Sequence, residues 1–141
     1  MTWSALAREL GAGNARDEAL ADYVPASRAL GLFPRPARMR PIGRVWRLGA
    51  YLLTPAGGLL RTGRVVRVAG AERRRSVVAE SISAHHELVL AARRGGYREG
   101  ETVNFDARPL DADAAHGSGA ADLAAYLAER AALLIRPPDG A

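Results

Sequence analysis

The sequence predicts an α+β domain: a β-meander of three antiparallel strands plus a fourth strand after a helix, with helices mainly on one face. Three observations carry this expectation. Residues 43–69 alternate with a period of two, residues 83–95 and 118–136 carry apolar residues at helical spacing, and a Pro/Gly-rich turn divides the alternating stretch. With 141 residues, one domain can bury a core without metal or disulfide staples.

The elements follow in order. Thr2 or Ser4 can cap a first helix with Trp3, Leu6 and Leu10 on its apolar side, ended by Gly11 and Gly13. Asn14, followed three residues later by Asp17, predicts a second helix with Leu20, Tyr23 and Val24 on one face and Pro25 as its stop. Residues 1–32 thus read as an N-terminal helical segment. Residues 33–42, with Pro34, Pro36 and Pro41 among Arg35, Arg38 and Arg40, read as an extended linker. The sheet-and-helix core spans 43–136.

In that core Trp46, Leu48, Ala50 and Leu52 alternate with Val45, Arg47, Gly49, Tyr51 and Leu53. Pro55, Ala56, Gly57 and Gly58 turn the chain, and Leu59 to Val68 returns as the second strand. Residues 73–95 admit two readings. A single helix would open with Arg73, Arg74 and Arg75, where the helix dipole disfavours cations. A third strand from Arg75 to Ile82, followed by a helix capped at Ser83 and stopped at Gly95, agrees with every local signal and is preferred. Glu101 to Arg108 alternates as a fourth, half-buried strand, and Ser118 caps a last helix carrying Leu123, Tyr126, Leu127, Ala131 and Leu134 before Pro137 and Pro138. The inner sheet residues Trp46, Leu48, Leu52, Val66 and Val68 should meet Leu88, Val89, Leu123, Leu127 and Leu134. Alanine supplies 29 of the 141 residues, so this core is thin.

Composition narrows the chemistry. No cysteine is present, which excludes disulfides, zinc–thiolate sites and thiol nucleophiles. No signal peptide is expected, and no apolar run is long enough for a membrane span, so a soluble cytoplasmic protein is the expectation. All 20 basic residues are arginine, and their placement is uneven: residues 28–75 hold twelve Arg against one acid, a net +11, between flanks of −2 and −4.

That block contains the candidate binding residues Arg47, Tyr51, Arg61 and Arg67. If they share one sheet face, guanidinium groups around an aromatic suit a phosphate backbone and a stacked base. The competing reading is a solvated face whose arginines cover apolar neighbours and pair with flanking acids. Asp111, Asp113 and His116 have metal-like spacing, but Asp is equally a turn former, and no second His follows at helical spacing. His85 and His86 are adjacent and diverge on a helix, unlike a zinc-binding pair four residues apart. Ser118 between Gly117 and Gly119 lacks the glycine spacing of a nucleophile elbow. Gly11 and Gly13 follow no strand and form no dinucleotide loop.

No catalytic residue, metal site or cofactor is therefore expected. Three functional classes remain: a non-catalytic binding or oligomerising domain, a polyanion- or nucleic-acid-binding module on the Arg-rich hairpin, and a small enzyme with its site around Asp111 to His116. The first ranks highest, with a homodimer as its expected form. Apolar Val45, Tyr51, Leu53 and Val65 would mix with Arg47, Arg61 and Arg67 on the open face, a composition common at interfaces. Nucleic-acid binding is expected to be weak, and no membrane contact is expected.

Overall fold

A computed structural model of the chain describes residues 3–29, 33–69, 79–110 and 119–138. The described residues form α1 (Trp3–Ala12), β1 (Glu18–Val24), β2 (Ser27–Ala29), β3 (Phe33–Arg35), β4 (Arg38–Leu48) and β5 (Tyr51–Leu53). β6 (Leu59–Arg61), β7 (Arg64–Arg67), α2 (Ala79–Arg94), β8 (Thr102–Phe105), β9 (Arg108–Pro109) and α3 (Ala120–Ile135) complete them. Strand pairing is mostly antiparallel, with β1 and β8 parallel, so the α+β class holds. Among the described residues no helix is long and apolar enough to cross a membrane.

The chain divides into two compact units. The first comprises Met1–Glu18, Arg44–Gly63 and Ala107–Ala141. In it the end of β4, then β5, β6 and β9 form an antiparallel run. Its core joins Leu6 and Leu10 of α1 to Trp46, Leu48, Leu53 and Leu59 of the strands and Leu127 of α3. The Trp46 indole N–H, which burial would otherwise orphan, donates to the Ala15 carbonyl at 3.2 Å.

The second unit comprises Ala19–Gly43 and Arg64–Asp106. Here β7 pairs antiparallel with β8, β8 runs parallel to β1, and β1 neighbours β4. Phe105, Val103, Met39, Val66, Val68 and Ala19 form its core with Val89, Ala91 and Ala92 of α2. Asn104 is the buried polar residue of β8, and its Nδ2 donates to the Ala19 carbonyl at 3.1 Å. α2 closes with a left-handed Gly96 (φ 95°), the Gly96 N–H on Arg93 O and the Tyr97 N–H on Ala92 O, as in a Schellman cap.

Several sequence expectations are corrected. The second helix is the strand β1, whose Ala19, Leu20 and Ala21 are buried in succession. A strand covered on both faces loses its alternation, and such a run imitates a helix stripe. The linker at 33–42 is β3 and the start of β4, with Ala37 and Met39 buried. The expected turn between Thr54 and Leu59 is present, closed by the Thr54 N–H on Gly58 O at 2.8 Å. An earlier turn at Gly49–Ala50 also divides 43–53 into β4 and β5. The meander is therefore β4–β5–β6, and the second run breaks at Thr62–Gly63, where β7 departs to join β8.

The expected third strand does not extend to Ile82, because residues 79–82 already belong to α2. Ser83 is therefore interior to the helix rather than its cap. Ala79 and Glu80 are strong helix formers, and their propensity wins over isolated β-branching at Ile82. The remainder of that expected strand, residues 75–78, lies outside the described residues. The fourth strand bends at Asp106 (φ 57°) into β8 and β9, and Val103, Asn104 and Phe105 are all buried rather than alternately so. Ser118 lies outside the described residues; Gly119 is the N-cap of α3, without a side-chain cap bond.

A basic and aromatic patch as candidate functional site

The turn that divides β4 from β5 decides which side chains meet. Its first residue, Gly49, has φ 66°, where a type II′ hairpin turn takes glycine. Because two residues form the turn, Tyr51 sits opposite Leu48, and Arg47 sits opposite Leu52. Cross-strand partners share a face, so Arg47 and Tyr51 lie on opposite faces of the hairpin. The expectation of one shared face assumed an unbroken strand, and it is corrected here.

The Leu48–Tyr51 pair extends into a row. Tyr51 is the partner of Arg61 on β6, and Arg61 is the partner of Arg108 on β9. The row thus runs Leu48, Tyr51, Arg61, Arg108 on one face, the face on which Trp46, Leu48, Leu53 and Leu59 pack with α1 and α3. From α3, Tyr126 meets Tyr51 edge to face at 6.1 Å between ring centroids. The approach is close: a Cβ on Gly49 would stand 1.9 Å from the Tyr126 hydroxyl. Glycine at 49 therefore serves both the turn and the tyrosine pair.

Each tyrosine carries a guanidinium. Arg61 stands 5.8 Å from the Tyr51 centroid, and Arg130, one helical turn after Tyr126, stands 5.2 Å from the Tyr126 centroid. Both rings are half-buried, whereas Arg61, Arg108 and Arg130 are exposed. Among the described residues none of these three arginines forms an ion pair. Cation–π attraction of this kind restrains a guanidinium over its ring and leaves its N–H donors able to meet a phosphate.

Of the four expected binding residues, then, Tyr51 and Arg61 come together. Arg47 is committed elsewhere: its Nε donates to both carboxylate oxygens of Glu18, at 3.2 and 3.4 Å, in a partly buried pair. Arg67 is exposed on β7 in the second unit, opposite Thr102. Three further arginines of the block pair with acids, the arrangement of the competing reading. Arg44 pairs with Asp17 at 2.9 Å, Arg40 with Asp22 at 2.6 Å, and Arg64 with Asp106 at 3.9 Å. Arg108, Tyr126 and Arg130 were missed. Tyr126 and Arg130 have the i,i+4 spacing of helix neighbours and were findable, but Arg108 is linked to Arg61 only by strand register.

The open face expected to mix apolar residues with arginine is also corrected: Val45 and Leu53 are fully buried, and only Val65 stays exposed, at 51%. His85 and His86 lie on α2, with His85 exposed and His86 half-buried. Among the described residues no group of three His, Asp or Glu could hold a metal ion. Asp111, Asp113 and His116 lie outside the described residues.

Fold and patch together define a small α+β domain that presents exposed arginines beside an aromatic pair. Comparison with protein-family models, curated proteins and solved structures finds no match to the chain.

Proposed function

We propose that the chain is a small non-catalytic binding domain whose partner is a polyanion, a nucleic-acid strand held through its phosphates. One observation supports the reading: Arg61 and Arg130 each lie over one ring of the Tyr51–Tyr126 pair, with Arg108 beside Arg61 in register and no ion pair on any of the three among the described residues. Guanidinium groups already seated on the rings favour phosphate contacts over base stacking. Three such contacts give sequence-independent binding in the micromolar range or weaker, which fades as salt rises.

The experiment is a fluorescence-anisotropy titration of a labelled single-stranded oligonucleotide at physiological salt. Replacing Arg61 and Arg130 by Ala should abolish binding, whereas Arg67→Ala should leave it within about twofold, since a mutation outside the contact set changes little. Equal losses from both variants would mean that net charge alone, not this patch, attracts the strand.

A homodimer is a second reading, and Val65 favours it. This exposed apolar residue lies on β7, which among the described residues ends its run of paired strands, and such an edge can add a strand from a second copy. Sedimentation equilibrium at micromolar concentration tests it, since a single species at 15.0 kDa contradicts the dimer. The setting we propose is the cytoplasm, which suits a cysteine-free chain.

A further inference from the structure

The second unit carries a different basic site. At the junction of β1, the β2–β3 pair, β4 and α2, a cleft of about 320 Å³ is lined by Val24, Pro25, Ser27, Arg35, Pro36, Arg38 and Arg94. Its size is at the lower end of small-molecule pockets. Among the described residues the lining has three arginines and no acid. The nearest carboxylate on β1, Asp22, is already paired with Arg40. Arg94 is held in place, its Nη1 donating to the Ala37 carbonyl at 2.8 Å in a half-buried bond. Its second terminal nitrogen makes no hydrogen bond within the described residues. Pro25 and Pro36 in the lining have restricted backbone torsions, which limits how far the cleft must reorganise to take a ligand.

From this geometry we infer that the cleft binds a small phosphomonoester, with its dianionic phosphate between Arg35, Arg38 and Arg94 and a compact apolar body against Val24 and the prolines. Three guanidinium forks exceed what one carboxylate can accept and match a tetrahedral dianion with three free oxygens. Ser27 adds a hydroxyl donor to the lining. A second depression of about 500 Å³ continues from the cleft through Ser27, Arg35 and Pro36, past Ala26 and Pro34. It gives the ligand body room to extend away from the phosphate. The site is independent of the tyrosine patch, because none of its residues belongs to the first unit.

The test is isothermal titration calorimetry of the full chain with phenyl phosphate, and with benzoate as the monocarboxylate control. The expected result is saturable one-to-one binding of phenyl phosphate and at least tenfold weaker binding of benzoate, the size of one lost charge-assisted hydrogen bond. Arg35→Ala and Arg38→Ala should each weaken phenyl phosphate by about tenfold. Both side chains are exposed and serve no described structural bond, so the variants should fold, and thermal melts check that they do. The Arg61→Ala/Arg130→Ala variant should bind phenyl phosphate as the unaltered chain does. Absence of saturation at millimolar phenyl phosphate overturns the inference. So does equal affinity for benzoate, indifference to Arg35→Ala and Arg38→Ala, or loss of binding in the Arg61→Ala/Arg130→Ala variant.

Discussion

Gly49→Ala tests the link between turn geometry and the tyrosine pair. Two costs arise. Alanine at φ 66° sits in the left-handed region, which disfavours a Cβ by about 1–2 kcal/mol. The new methyl would also stand 1.9 Å from the Tyr126 hydroxyl and 2.7 Å from its Cζ, so the ring must swing away. Losing the edge-to-face contact with Tyr51 removes a further 0.5–1.5 kcal/mol or so. Against these, alanine restricts the unfolded chain and returns roughly 0.4–1 kcal/mol. The net expectation is about 1–2 kcal/mol of lost stability, read by urea denaturation with the slope of the transition unchanged. The double-mutant cycle isolates the contact. In a Tyr126→Ala background the cost of Gly49→Ala should fall to the backbone share alone, because nothing is left to collide. An equal cost in both backgrounds, or a loss below about 0.5 kcal/mol in the unaltered one, refutes the reasoning, since surface changes without such a mechanism fall in that range.

Further expectations follow from single contacts. Asn104→Ala should cost about 1–3 kcal/mol in urea denaturation, because it strips the Ala19 carbonyl of its buried donor. Gly95→Ala should destabilise α2 by about 1–3 kcal/mol, since its Cβ would lie 1.9 Å from the Met39 carbonyl oxygen and backbone cannot step aside; a neutral melt would contradict the packing. Arg47→Ala should lower stability by no more than about 1 kcal/mol through its partly exposed Glu18 pair and leave oligonucleotide binding unchanged. Ser83→Ala should be neutral within about 0.5 kcal/mol in a thermal melt, because Ser83 is exposed inside α2 and not its cap.

What the sequence revealed depends on how local the cause is. The turn at Pro55 to Gly58, the stop of α2 at Gly95 and the stripe Leu123, Leu127, Ala131 and Leu134 on α3 are each set by neighbours within a few residues, and all were legible. β1 was not, because its identity rests on parallel pairing with a strand far along the chain, Ala19 against Val103, and on cover from both sides. The candidate site shows the same division. Tyr51 and Arg61 flank one hairpin and were found together. Arg47 was misplaced by a two-residue turn concealed in an alternating run, which moves Tyr51 to the other face. Arg108 joins the patch only through the β6–β9 register, which no local pattern reports.

The most direct test of the binding account is the salt dependence of oligonucleotide affinity. If three arginines each displace a counterion from a single strand, the plot of log K against log salt should fall with a slope of about −2. The triple replacement Arg61→Ala, Arg108→Ala and Arg130→Ala should flatten that slope towards zero at unchanged fold, monitored by circular dichroism. A slope of about −2 that persists in the triple variant would place the contacts elsewhere on the chain and contradict the assignment of this patch.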